Sequence, residues 1–287
     1  MKIGGVQVIY NPKEELLQQS IISILPQLDF IIIIDNSYNN NKHIINKINT
    51  NKIIYIFNNS NIGIAQAQNI GINTLIERNV DFIYFMDQDS IPPNNIISTL
   101  LKNYFWLTEN GFNPGVIGPT IINRQTNTKY EGKIIKGNKV KNNIIEMSEI
   151  ISSGSIISLK TIKEVGGMDS YLFIDYVDHE WCWRAKSKGN YKSYCCTDIT
   201  LNHQIGEGDQ FFLGIKLLIS TPFRCYYQYR NYFLLLTRSY VPLYWKIANG
   251  IKLFFKLFYY CIIKSPQKYT KNILKGIFDG LKTIIKK

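Results

Sequence analysis

Two aspartates one residue apart close the apolar run "FIYFMDQDS", residues 82–90. Side chains two positions apart on a strand share a face, so the α-carbons of Asp87 and Asp89 would stand roughly 6.6 Å apart. Two unit charges at that distance repel by about 2.5 kcal/mol at an effective dielectric near 20, against about 0.6 kcal/mol in bulk water. Keeping both ionised in a half-buried place calls for a compensating charge. A hard divalent cation, Mg2+ or Mn2+, suits it, because such an ion takes oxygen ligands from one or two carboxylates and leaves positions for phosphate oxygens. The alternative is a solvated turn in which Asp89 caps the helix after Pro92-Pro93.

Other polar residues stand at the ends of neighbouring apolar runs. "FIIIIDNSYNN" places Asp35 where a carboxylate could accept the ring N–H of a uracil or thymine base, or close an Asx turn with Asn36 and Ser37. "NNSNIGIAQAQNIGI" sets Asn61 and Gly63 ahead of a helix, where exposed backbone donors could hold ribose or diphosphate; its Ile64, Ala65, Ala67, Gln68 and Ile72 read as helix packing. Tyr10 and Asn11 follow the first strand.

Further along, "GGMDSYLFIDYVDHEWCWR" carries Asp169, Asp175, Asp178 and Glu180. A helix starting at Asp178 leaves that carboxylate beside free N–H groups, which favour its charged form, and an oriented carboxylate can take a proton from an attacking hydroxyl. Asp178 could equally be a simple cap. Glu180 and Arg184 have the i,i+4 spacing of a surface pair.

The elements that must hold these residues read as alternating short β-branched runs and helices: strands at "VQVIYN", "FIIIIDN", "IIYIFNN" and "FIYFMD", helices near 12–25 and 64–78. Continuous apolar strands are buried on both faces, which predicts a mostly parallel α/β sheet flanked by helices, with ligands beyond the carboxyl ends of the strands. A less regular stretch over 115–149 reads as a hairpin or loop. The 287 residues, 45% hydrophobic, exclude a disordered chain. Five cysteines without CxxC spacing suggest neither a disulfide framework nor a zinc site, and together with an amino terminus lacking a signal-peptide core they fit a reducing cytosol.

The ordered set of strand-end Asp35, Asn61-Ile-Gly63, "MDQDS", "GGMD", "LFIDYVDHEWCWRA" and "NHQIGEG" resembles the family 2 glycosyltransferases of the GT-A fold, and within them the rhamnosyltransferase-like bacterial branch. The resemblance spans about residues 6–208 and is most specific at "DQDS" with "FIDYVDHEW". It implies an inverting transferase that takes a sugar from a dTDP- or UDP-linked donor. Asp35, Tyr10, Asn11, Asn61 and Gly63 would then line the nucleotide, Asp87 the ribose side, and Asp89 the cation on the diphosphate. Asp178 matches the general base, with Gly167, Asp175, Glu180 and Trp181 on the acceptor or sugar side. His203 resembles a position near cation and diphosphate; a structural imidazole is the other reading. Val177 stands where the generic family motif has its first acidic residue, and Ile9 where many relatives carry Thr.

The formal charge of +12 is uneven, since residues 246–287 hold ten lysines against Asp279. No run there reaches the ~18 apolar residues of a spanning helix. Lys246, Asn249, Lys252, Lys256, Tyr260 and Lys264 recur at helical spacing, as do Lys268, Lys271, Lys275, Asp279, Lys282 and Lys286, giving two basic amphipathic helices broken near Ser265-Pro266. Such helices suit an anionic membrane surface. They could also fold back on the body with solvated lysines, or meet a partner protein. The expected organisation is a transferase domain over 1–210 and a membrane-associating helical region over 211–287. Peripheral attachment to the inner face of the cytoplasmic membrane would suit a glycan or polyprenyl-linked acceptor. A nucleotidyltransferase lacks its Gly-rich, basic phosphate loop, and a nucleic-acid binder lacks any RNA-binding signature.

Overall fold

Runs of Ile, Val and Phe form one side of a nine-stranded sheet. The computed structural model describes residues 1–123, 137–203, 209–212, 215–218, 220–264 and 266–285. Strands β1 (Ile3–Ile9), β2 (Phe30–Asp35), β3 (Ile53–Phe57) and β4 (Phe82–Asp87) are parallel, with β1 between β2 and β4. Beyond β4 come β5 (Pro114–Asn123), the hairpin β6 (Gly137–Lys141) and β7 (Ile144–Met147), the short β8 (Ile156–Ser158) and β9 (Lys192–His203). The spatial order is β3-β2-β1-β4-β8-β5-β9-β7-β6, with β8 antiparallel to both its neighbours.

Alternate residues of β2 show why these strands have no polar face. Ile32 and Ile34 point into a core shared with helix α3 (Ile64–Glu77) and helix α6 (Val177–Gly189), through Ala65, Ile72, Leu75 and Trp181. Ile31 and Ile33 point the other way, against Leu17, Ile21 and Ile24 of α1 (Glu14–Ile24) and Ile96 and Leu100 of α4 (Ile96–Glu109). The strands and helices expected from the apolar runs are present, and helix α6 begins at Val177, one residue before Asp178. Short helices α2 (Lys42–Asn46) and α5 (Leu159–Val165) complete this part.

After the hairpin β10 (Asp209–Phe212) and β11 (Ile215–Leu218) come α7 (Pro222–Leu236), α8 (Leu243–Phe258), a π-helical turn over Tyr259–Lys264, and α9 (Pro266–Ile285). Leu234 and Leu235 of α7, Val241, and Trp245 of α8 lie in the same core as Val6 and Phe85 of the sheet. Not all the tail lysines expected at a solvated face are there. Lys246 Nζ donates to the carbonyls of Leu236 and Arg238 at 2.9 Å, satisfying the carboxyl end of α7. Lys256 Nζ turns inward to Gln228 Oε1 at 3.2 Å. Among the described residues no helix is long and apolar enough to cross a membrane.

Candidate active site

The carboxyl end of β4 and the start of α6 meet across one short segment. Ser153 Oγ accepts from the Asp87 amide at 3.3 Å and lies 3.0 Å from Ser90 Oγ. One residue earlier, the Ser152 amide donates to Asp178 Oδ2 at 3.3 Å. Both aspartates are half-buried, as is Asp89. Because β8 runs antiparallel, the residues just before it arrive at the rim where β4 ends, and this brings positions 87 and 178 together. Gln7, buried in β1, adds a hydrogen bond from Nε2 to the Asp87 carbonyl at 3.2 Å. Neither Gln7 nor the two serines is among the residues that the sequence singles out.

Tyr10 and Asn11 stand at the same rim. Gln88 clasps the main chain of Tyr10, accepting from its amide at 2.8 Å and donating to its carbonyl at 3.3 Å, while the Tyr10 side chain stays exposed. Asn11 adopts a left-handed conformation (φ 44°) and its amide donates to Ser37 Oγ at 2.7 Å.

Asp35 is fully buried and already engaged. Oδ1 accepts from the Ser37 amide at 2.9 Å, and Oδ2 accepts from the Asn41 amide at 3.1 Å, Asn41 Nδ2 at 3.0 Å and the Tyr55 hydroxyl at 2.5 Å. Burial pushes this carboxyl up, but the hydrogen bonds from Tyr55, Ser37 and Asn41 outweigh it and hold the group below its ordinary value. The Asx turn is thus the reading that this geometry displays, with Asp35 shaping the loop over 36–41.

The amino end of α3 departs from the expected open anion cradle. Gly63 is buried at φ +85°, and a Cβ there would fall 2.6 Å from the Phe173 ring. Its amide is taken by Asn61 Oδ1 at 3.0 Å, and the carbonyl of Phe173 accepts from the amides of Ile64 at 2.7 Å and Ala65 at 3.3 Å. The first two amides of the helix are thus taken by a neighbouring loop, so Gly63 serves a close approach of chains here, and Asn61 orders the turn.

That loop leads into Asp178. Phe173 (φ 64°, ψ −65°) is the centre of a γ-turn closed by the Ile174 amide on the Leu172 carbonyl at 2.7 Å. Asp175 and Tyr176 also have positive φ, 64° and 65°. Left-handed conformations cost non-glycine residues on the order of 1–2 kcal/mol each, so surrounding contacts must hold them. Asp178 follows as the second residue of α6, its Oδ1 accepting from the His179 amide at 2.9 Å.

The residues expected on the acceptor side separate. Glu180 is fully buried, its Oε1 accepting from Arg184 Nε at 2.9 Å, Arg238 Nη1 at 3.0 Å and the Tyr240 hydroxyl at 2.6 Å. Trp181 is 1% exposed and donates from Nε1 to the Gly166 carbonyl at 2.9 Å. Both face inward, because residues two and three beyond Asp178 have rotated onto the sheet side of α6; they hold the helix and do not face a sugar. Asp175 pairs with Arg224 at 2.5 Å, and Gly167 gives its carbonyl to Arg184 Nη2 at 2.7 Å.

The rim carboxylates able to offer oxygen to a divalent cation are Asp89 and, beside it, Asp87, and such an ion takes one or two carboxylates when phosphate supplies further ligands. No cluster of three or more His, Cys, Asp or Glu side chains that could hold a metal occurs among the described residues. An isolated bridge from Ile91 to Asn202 sets the segment after Asp89 beside the end of β9. The side chain of His203, the last residue of that strand, lies outside the described residues.

Known proteins resemble this chain in sequence and in fold. The family model described as "Glycosyl transferase family 2" matches residues 6–155. The dTDP-rhamnosyl transferase RfbF of Shigella flexneri is 34% identical over 295 residues, covering 98% of this chain and 96% of its own. Among solved structures, S. aureus TarS superposes with a TM-score of 0.60 at 13% identity, over 99% of this chain and 49% of TarS. TarS 1–349 in complex with UDP-GlcNAc gives 0.57 at 13% identity, over 96% and 82%. GalNAc-T7 with UDP, GalNAc and Mn2+ also gives 0.57 at 13% identity, over 96% and 57%. At that identity the structural likeness speaks to the fold, which is the GT-A fold that the family resemblance implied. With more than half its length matched by the family pattern and nearly all of it by a rhamnosyltransferase, the chain belongs to glycosyl transferase family 2 and is a glycosyltransferase.

Proposed function

We propose that this protein is an inverting transferase that moves rhamnose from dTDP-rhamnose onto a hydroxyl of a lipid-linked or cell-surface glycan precursor. The observation that carries the reading is the shared serine segment, which sets the acidic end of β4 and Asp178 at one rim. The choice of dTDP-rhamnose is supported by the relationship to RfbF along almost the whole chain.

On this reading Tyr10 and Asn11 line the nucleotide, Asp87 faces the ribose, and Asp35 acts by ordering the loop over 36–41 beneath the base. Asp89, with Asp87 nearby, would hold Mg2+ or Mn2+. When bound, that ion supplies positive charge to the departing diphosphate. Asp178 removes the proton from the acceptor hydroxyl as its oxygen attacks the anomeric carbon; the bond to the nucleoside diphosphate breaks in the same displacement, and configuration inverts. The segment carrying Asp178 would hold the acceptor in line with the donor, and such positioning removes part of the entropic barrier to the displacement.

The outer faces of α8 and α9 support attachment to an anionic membrane surface. Leu243, Ile247, Ile251, Phe254 and Phe258 form one stripe along α8, each between 42% and 71% exposed. Leu274, Phe278 and Leu281 do the same on α9, beside exposed Lys271, Lys275 and Lys282. Apolar stripes flanked by lysine are the pattern of a helix lying in a lipid interface, where each lysine near anionic lipid adds about 1 kcal/mol.

The test of the reaction is a donor panel read by released nucleotide. Turnover of dTDP-rhamnose above UDP-, GDP- and other dTDP-sugars is the expected result, and preference for a UDP-hexose would replace rhamnose.

A further inference from the structure

Helix α7 turns one face toward the segment over 172–176. Arg224, Tyr227, Gln228 and Asn231 recur at the spacing that aligns side chains along a helix, and all four meet that segment. Arg224 donates to both Asp175 oxygens, Nε to Oδ2 at 3.2 Å and Nη2 to Oδ1 at 2.5 Å. Gln228 Nε2 lies 3.5 Å from Asp175 Oδ1. Tyr227 stacks on the Phe173 ring with centroids 4.6 Å apart. Asn231, fully buried, directs Nδ2 at three carbonyls, those of Leu172 and Ile174 at 2.8 Å and of Asp175 at 3.2 Å.

These contacts fall where the backbone has most need of them. Phe173, Asp175 and Tyr176 are left-handed without being glycine, and the next residues are Val177 and Asp178. A catalytic side chain has to be held to within about half an ångström by neighbours that are themselves fixed. We propose that Arg224 and Asn231 are positioning residues for Asp178: by holding 172–176 in its left-handed path, α7 sets where α6 starts and where the Asp178 carboxylate points. This inference rests on Asp178 being the base, as argued above.

It also assigns part of the region after residue 210 to the catalytic body. Helix α9 lies on a different face of α7, at Tyr226, Arg230 and Phe233. Gly276 and Gly280 allow close approach there: a Cβ on Gly276 would fall 2.4 Å from the Tyr226 carbonyl oxygen. The last helix thus braces the one that holds the loop.

Arg224→Gln, Arg224→Lys and Asn231→Ser in the full chain test this, read by steady-state kinetics, thermal melting and amide hydrogen exchange. A positioning role predicts a kcat at least tenfold lower for Arg224→Gln, with donor KM within twofold, a melting temperature close to wild type, and faster exchange confined to about 172–178. Arg224→Lys restores part of kcat. An unchanged kcat, unchanged exchange at 172–178, or a parallel fall of kcat, donor affinity and melting temperature overturns it. Should Asn231→Ser fail to fold, Arg224→Gln decides, since its side chain is 40% exposed. If the wild type turns over no nucleotide sugar, the transferase reading fails, while the exchange pattern still decides whether α7 orders the segment.

Discussion

The Asp87 amide and the Asp178 carboxylate rest on adjacent residues, the first on Ser153 Oγ and the second on the Ser152 amide, each at 3.3 Å. Ninety positions of sequence separate the two aspartates, and two residues of chain join them. Removing the Asp178 carboxylate should therefore leave the β4 side intact. Asp178→Asn is expected to lower transfer by about 10²- to 10⁴-fold, the range for loss of a general base, with unchanged binding of the nucleoside diphosphate in calorimetry.

Asp89→Ala should have the opposite profile. Binding of dTDP in the presence of Mn2+ is expected to weaken at least tenfold, while binding in EDTA changes little. Equal metal-dependent binding by the variant and the wild type would remove Asp89 from the cation site.

Asp35 supplies a pH signature. Its carboxyl is held below its ordinary value in the folded chain by the hydrogen bonds from Tyr55, Ser37 and Asn41, so the ionised form favours folding. That contribution is complete above the unfolded value and disappears as pH falls through the lower folded one. Wild-type melting temperature should drop as pH is lowered below about 4, and Asp35→Asn should show a shallower acid limb. At neutral pH the variant should be less stable by about 1–3 kcal/mol, because Tyr55 or a loop amide loses its acceptor.

Glu180→Gln strips the charge facing Arg184 and Arg238 in a buried place. Breaking such a pair from one side costs about 3–5 kcal/mol. Urea unfolding should show a loss of that order, and any surviving folded enzyme should keep its donor KM.

The double variant Phe254→Ser, Phe258→Ser leaves the inward face of α8 untouched. It is expected to reduce co-sedimentation with vesicles containing anionic lipid without changing turnover of a soluble acceptor. Unchanged sedimentation would reject the apolar stripe as the attachment surface.

Much of the molecule was legible in its sequence. Strands β1 to β4 could be read because their apolar runs are continuous, and the aspartates were visible because each closes or follows such a run. Asp178 stands out in the sequence through its neighbours in "FIDYVDHEW". Glu180 and Trp181 were misplaced because a helix's start does not reveal which of its faces meets the sheet. Gly63 misled for a related reason: the partner of the α3 amides is Phe173, more than a hundred residues away. Arg224 and Asn231 carried no local sign at all, since they act on backbone carbonyls and a carboxylate that only the folded chain brings near. On α8, helical spacing identified the amphipathic pattern, but Lys256 lies inward because Gln228 supplies a buried acceptor for it.

Strand β8 is three residues long, yet it joins two four-stranded leaves: β3-β2-β1-β4 on one side and β5-β9-β7-β6 on the other. Its pairing comprises Phe82, Ile83 and Tyr84 on the first leaf and Val116 and Ile117 on the second. Main-chain bonds go further than the strand, from Leu159 to Asp81 and from Phe85 to Ser155, and Ile156 and Ile157 enter the cores on opposite faces, so this short seam welds both leaves into one body.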